Sequence, residues 1–167
     1  MDEQAYAEFA TAHWMRLVRL AVLLGASVHE AEDLAQTTLL QCHLAWRKVQ
    51  EADNRDAYVS RMLLNVLRAS RRRRWWGERP SSRVPDTAVP DRSDDVVAEL
   101  TVRAALGRLS EGQREVVVLR YFVQLTEQQV AELLSIAPGT VKSRLSRALA
   151  LLAHDQDLDP LRDGRTT

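Results

Sequence analysis

Arg61, Asn65, Arg68, Arg72 and Trp75 stand three or four residues apart, and Arg71, Arg72, Arg73 and Arg74 run consecutively. On a helix the first set forms one polar ridge with an aromatic end, and the second makes that end positive all round. Such a surface can neutralise several phosphates of a polyanion and displace their counterions. Trp75 and Trp76 beside it offer flat faces on which an unpaired base can stack. The same residues admit a plainer account: a solvated helix end favoured by its macrodipole, with the tryptophans packed on a bundle. Four adjacent guanidinium groups repel one another unless a polyanion is near, so nucleic acid is the first partner to test.

A second constellation lies at 126–152, where a short helix, the turn Ser135-Ile136-Ala137 and a longer helix have the spacing of a helix-turn-helix. Val141, Leu145, Ala148 and Leu152 make the buried stripe of its second helix. Gly139, Thr140, Lys142, Ser143, Arg144, Ser146 and Arg147 are left outward, near the amino-terminal half. Those residue types suit a major groove, with arginine on guanine edges and small hydroxyls and the helix amino terminus on phosphate. An ordinary helical hairpin with a cationic surface has the same pattern. A third row, Glu32, Asp33, Gln36, Thr37, Leu40, His43 and Arg47, is mixed and initially acidic. A solvated face is its default reading, and periodicity alone does not make it a partner surface.

Catalytic chemistry finds little support. His13, His29, His43 and His154 share no ligand spacing, and neither a phosphate-binding glycine loop nor a nucleophile elbow occurs. The pairs Glu32-Asp33 and Asp94-Asp95 are adjacent, so on a helix they diverge. His13 lies on an apolar face, and Cys42 falls in a helical stripe as a small core residue. No catalytic group, metal site or cofactor is expected.

The elements that must carry these residues are helices. Phe9, His13, Leu17, Leu20 and Leu24 recur on one face of 3–24, which Gly25 ends. Ser27-x-x-Glu30 is a capping box for a second helix over about 28–49, with Ala31, Leu34, Ala35, Thr38, Cys42, Ala45, Trp46 and Val49 inward. Asp53 and Asn54 cap a third, about 55–75, with Val59, Met62, Leu63 and Val66 on its apolar side. Between Gly77 and Asp94 the periodicity stops amid Pro80, Pro85, Pro90 and alternating charges, which predicts an extended, flexible linker. It resumes over 95–109; Ser110-x-x-Gln113 then caps a helix running through Val116, Val117, Leu119 and Phe122. Thr126-x-x-Gln129 caps the short helix to Leu134, and Pro138 opens the last one, which reaches about Ala153. No strand alternation with hairpin signals and no long repeat appears. The fold class is all-α, with two small helical domains joined by a linker.

Composition agrees. A chain of 167 residues, 46% hydrophobic, allows one ordinary domain or two small ones with real cores. The balance of 23 basic against 23 acidic residues hides an asymmetry: 61–79 hold seven arginines and one acid, 86–99 five acids and one arginine. A single cysteine excludes an intrachain disulfide framework and suits a reducing, cytoplasmic setting. No apolar run approaches the roughly 18 residues of a membrane span, and the acidic start Met1-Asp2-Glu3 shows no secretory signal, so a soluble protein without membrane insertion is expected.

By these motifs the chain resembles an extracytoplasmic-function (ECF) sigma factor of the sigma-70 superfamily, in the arginine-rich idiom of the actinobacterial sigma-E-like type. Ala31-Glu32-Asp33-Leu34-Ala35-Gln36-Thr37-Thr38-Leu39 is similar to the family's helix that docks on the beta-prime clamp helices of core RNA polymerase. Asn54-Arg55-Asp56-Ala57-Tyr58 through Asn65 and Arg71-Arg72-Arg73 resembles the loop and helix that read and open the minus-ten promoter element. Gly139-Thr140-Val141-Lys142-Ser143-Arg144-Leu145-Ser146-Arg147-Ala148 resembles the helix that reads the minus-thirty-five element. The three span nearly the whole chain in the family's order.

The resemblance implies a sigma domain 2 over 1–77, a linker over 78–94, a sigma domain 4 over 95–154 and a disordered tail over 155–167. It implies a polymerase face of Glu32, Asp33, Gln36, Thr37 and Leu40. For the minus-ten element it implies Asn54, Arg61, Asn65, Arg68, Arg71, Arg72, Arg73, Arg74 and Trp75, with Asn54 holding an everted base. For the minus-thirty-five element it implies Gly139, Thr140, Lys142, Ser143, Arg144 and Arg147. The implied partners are core RNA polymerase, through its beta-prime clamp helices and beta flap, promoter DNA, and an anti-sigma factor. Thr37 and Gln128 stand where the family often has glutamate, and Ser135 where a turn glycine is usual. Two rivals stay open: a helix-turn-helix regulator that binds duplex DNA alone, and an enzyme acting on nucleic acid, which needs convergent carboxylates or a metal.

Overall fold

The computed structural model describes residues 3–75, 94–155 and 158. Among them every regular element is helical, and the chain divides into two compact units. The predicted linker 78–94 lies outside the described residues except for Asp94, which begins a helix, and Trp76 lies outside them too.

The first unit contains α1 (Glu3–Leu23), α2 (Val28–Leu44), α3 (Trp46–Glu51) and α4 (Arg55–Trp75). The capping box forms as expected: Glu30 N–H donates to Ser27 Oγ at 3.3 Å, and Ser27 N–H to Glu30 Oε2 at 2.9 Å. Such a cap is worth about 1 kcal/mol. α2 and α4 pack against each other, burying Ala31, Leu34, Ala35, Leu39 and Cys42 with Val59, Leu63, Leu64 and Leu67.

The single helix expected over 28–49 is broken. Ala45 leaves helical geometry at φ −109°, ψ 24°, and α3 starts directly after it. The break re-aims Trp46, whose indole lies 5.0 Å from the Phe9 ring and 5.4 Å from Tyr6. A tertiary aromatic cluster thus overrides a local helical pattern. At the start of α4 the cap is Asn54, whose Oδ1 accepts the Ala57 N–H at 2.9 Å, while Asp53 is exposed. Arg16 of α1 donates to Asp56 at 2.7 Å and fixes that end of α4 to α1.

The second unit contains α5 (Asp94–Gly107), α6 (Glu111–Val117), α7 (Glu127–Leu134) and α8 (Pro138–Ala153). α6 and α7 both pack on α8, and Val116, Val118, Leu119, Val130 and Val141 make the core. The helix expected to run to Phe122 changes pitch at Val118, and Val118–Phe122 is a π-helical turn closed by Val123 N–H on Val118 O at 3.2 Å. The wider turn rotates the residues at its end, so Phe122, expected inward, is 45% exposed beside Tyr121.

Ser135 adopts the left-handed conformation, φ 56°, ψ 46°. Ile136 N–H then reaches back to Ala131 O at 3.0 Å, closing α7 as glycine normally does. Of the tail expected to be disordered over 155–167, Asp155 and Leu158 are described: Asp155 pairs with Arg108, and Leu158 lines an apolar recess. The remainder of the tail lies outside the described residues.

Candidate nucleic-acid interface

The residues of the α4 ridge share one helix, and its apolar side fixes their direction. Burial of Val59, Leu63, Val66 and Leu67 leaves Arg61, Asn65, Arg72 and Arg73 exposed, with Arg68 and Arg71 half-buried. Trp75 is 89% exposed, so it does not pack on the bundle. Arg74 is exposed but pairs with Glu30 at the start of α2. The arrangement is a cationic helix end with one bare aromatic face, fit for phosphate and for stacking.

Asn54 sits at the other end of α4. A backbone N–H can only donate, so the amide atom bonded to Ala57 is the oxygen, and the remaining Nδ2 is a donor. Whatever Asn54 holds through Nδ2 must therefore present an acceptor. Behind it, His13 Nδ1 bonds Phe9 O at 2.8 Å and must donate, since a carbonyl only accepts; this turns Nε2 toward Asp56 at 3.8 Å.

On α2, Glu32, Asp33, Gln36, Thr37 and Leu40 are all exposed and lie together. His43 leaves the row. Its ring packs edge-on to Tyr6 at 4.6 Å, with Nδ1 buried and unpaired among the described residues. Leu44 takes its place, 79% exposed next to Leu40 at 58%. Sequence reading missed Leu44, although its place four residues after Leu40, itself four after Gln36, was the available signal.

On α8, Val141, Leu145 and Ala148 are buried and Leu152 half-buried, which turns Gly139, Lys142, Ser146 and Arg147 to solvent. Thr140 and Ser143 are half-buried, Ser143 Oγ donating to Thr140 O at 3.1 Å. Arg144 stands apart from the outward set. Its guanidinium lies flat on α6 at Gly112, where a Cβ would meet Nη1 at 2.9 Å.

Beside α8 the second unit opens an apolar recess of about 320 Å³, lined by Val102, Leu106, Tyr121, Phe122, Leu149 and Leu158 among others. It was not anticipated, because the π turn that presents Tyr121 and Phe122 has no local signature.

Reactive groups are muted. Burial pushes the Cys42 thiol up to about 11, and its Sγ–H points at Met62 Sδ, 3.6 Å away. Burial also raises the Tyr6 phenol, which donates to Leu39 O at 2.9 Å. Among the described residues no cluster of His, Cys, Asp and Glu could hold a metal ion, and no helix is long and apolar enough to cross a membrane.

Two helical units, one with an arginine-and-tryptophan helix end and one with a helix-turn-helix, define the class as an all-helical protein with two cationic surfaces suited to nucleic acid. The chain matches the sigma-70 region 2 family over residues 9–77 and the sigma-70 region 4 family over residues 99–152. It is 32% identical over 162 residues to the RNA polymerase sigma-E factor of Streptomyces avermitilis, covering 92% of this chain and 88% of that one. It is 32% identical over 155 residues to the ECF RNA polymerase sigma factor SigL of Mycobacterium tuberculosis, covering 88% and 84%. Its fold is similar to that of the sigma factor RpoE from Bartonella quintana, solved with the anti-sigma factor NepR: TM-score 0.66, 24% identity, 97% of this chain and 99% of that one. The chain belongs to the ECF sigma factors of the sigma-70 family and is a non-enzymatic RNA polymerase sigma factor.

Proposed function

We propose that this sigma factor, acting in the cytoplasm, docks the outward face of α2 on the beta-prime clamp helices of core RNA polymerase. Glu32, Asp33, Gln36 and Thr37 supply the polar contacts, and Leu40 with Leu44 the apolar ones. The apolar recess of the second unit takes an apolar helix of the beta flap. Asn54 holds an everted base of the minus-ten element, Arg61 and Asn65 line its approach, and Arg68, Arg71, Arg72 and Arg73 neutralise phosphate while Trp75 stacks on the opened strand. The cost of unstacking one base, a few kcal/mol, is offset by that pocket and those phosphate contacts. On α8, Arg147 reads a base edge of the minus-thirty-five element, while Gly139, Thr140, Lys142 and Ser143 meet the backbone. Arg144 joins them by leaving Gly112. An anti-sigma factor that covers the α2 face or the recess would hold the protein inactive.

The observation that carries this reading is the exposure of Trp75 at the end of an arginine run, an aromatic face open beside exposed Arg72 and Arg73 and suited to stack on a base. The test is to add the protein to sigma-free core polymerase with a promoter library and sequence the transcript starts. Starts that share two upstream motifs at fixed spacing support the reading. Binding to duplex DNA alone, with no polymerase association, would replace it with a conventional regulator.

A further inference from the structure

Among the described residues three capping boxes open helices, and two of them, Ser110 with Gln113 and Thr126 with Gln129, use glutamine at the third position. The box at α2 uses Glu30 instead, although capping needs only one oxygen. That oxygen is Oε2, which accepts from Ser27 N–H at 2.9 Å. The other, Oε1, meets Nη1 of Arg74 in the last turn of α4. The charge of Glu30 is therefore surplus to the cap and is directed at one member of the arginine run. Both side chains keep contact with water, 41% for Arg74 and 33% for Glu30, so an incoming phosphate can reach the pair.

We propose that Glu30 is a positioning residue that holds Arg74 off DNA and so sets how many arginines at the end of α4 meet phosphate. The proposal rests on the proposed function, in which this end binds DNA. Arg72 and Arg73 are exposed and make no hydrogen bond or ion pair among the described residues, whereas the charge of Arg74 is already answered. A phosphate that takes Arg74 must leave the Glu30 carboxylate bare beside a polyanion, and like charges there oppose the exchange. The same pair ties the last turn of α4 to the first turn of α2, joining the proposed DNA ridge to the helix proposed to face polymerase.

The two roles of Glu30 separate in E30Q, since glutamine serves the other two boxes and the α2 cap survives. The full chain is titrated with a labelled single-stranded oligonucleotide of mixed sequence across a range of salt, and log K is plotted against log salt. Each phosphate contact on a single strand contributes a slope of about −0.7. E30Q is expected to steepen the slope by about 0.7, R74A to keep the wild-type slope, and the double variant E30Q/R74A to return to it. Simple long-range charge would instead move E30Q and R74A in opposite directions. An unchanged slope in E30Q, or a loss of about 0.7 in R74A alone, overturns the proposal. R72A and R73A guard the premise: each should flatten the slope by about 0.7, and if neither does, the DNA reading of the ridge falls and this proposal with it. If they do and E30Q stays flat, Glu30 alone loses its role.

Discussion

Replacing Asn54 by alanine, aspartate and serine separates the cap that its amide makes from the base contact proposed for it. Its oxygen caps α4 through Ala57 N–H, and its nitrogen is the donor that the proposed function gives to a base. Alanine loses both. Loss of the cap costs about 1 kcal/mol, which in a domain of this size lowers the melting temperature by about 4–8 °C. Aspartate keeps an acceptor at the cap and adds a negative charge at a helix amino terminus, a gain of about 0.3–1 kcal/mol, so it should melt at or above the wild type. It presents oxygen where the proposed base contact needs a donor, however. Leaving that acceptor unpaired costs about 1–3 kcal/mol, a fall in promoter opening of about 5- to 150-fold. Serine keeps the cap without the added charge and lacks the reach, so it should also lose opening. The assay is thermal unfolding by circular dichroism beside fluorescence of a base analogue in the opened segment, with core polymerase present. An aspartate variant that opens promoters like the wild type would refute the donor argument; an alanine variant that melts like the wild type would refute the cap.

L40D and L44D place charges on exposed α2 positions, so unfolding should stay within about 0.5 kcal/mol of the wild type while core polymerase affinity falls at least about tenfold; equal affinity by calorimetry removes the α2 face. R147A should cost about 1–3 kcal/mol at one position of the upstream element and relax its sequence preference, whereas K142A should weaken all sequences alike; selection from a randomised element reads both. The Cys42 thiol is raised by burial to about 11, so the folded state favours the neutral form. Its contribution to stability is full below the unfolded value near 9 and is lost as pH rises through about 11. C42A should show a shallower loss of denaturant midpoint over that window, and parallel curves would exclude the thiol.

Helix starts were legible because a capping box is written within four residues: Ser27-Glu30, Ser110-Gln113 and Thr126-Gln129 all form where the sequence places them. The break at Ala45 was not, since it answers to rings on α1. Nor was the π turn, a change of pitch that leaves no mark on apolar spacing. The outward rows of α2, α4 and α8 follow from periodicity except where a distant partner claims a member. His43 goes to Tyr6, Arg144 lies on Gly112, and Arg74 pairs with Glu30; each is drawn aside by a group on another helix. Asp56 in the first turn of α4 is a further case, since only the fold supplies its partner Arg16.

The π turn at Val118–Phe122 can be seen as one residue more than a regular helix would hold over the same rise. Deleting a single residue there would restore the ordinary pitch, swing Tyr121 and Phe122 by about a quarter turn, and reshape the mouth of the recess, whose other wall is Leu149 and Leu152 of α8. The recess and the outward face of α8 thus depend on different residues of one unit: the first on the pitch at Val118–Phe122, the second on the burial of Val141, Leu145 and Ala148. A change of one residue in chain length, rather than any substitution, is then the expected way to create or erase the recess.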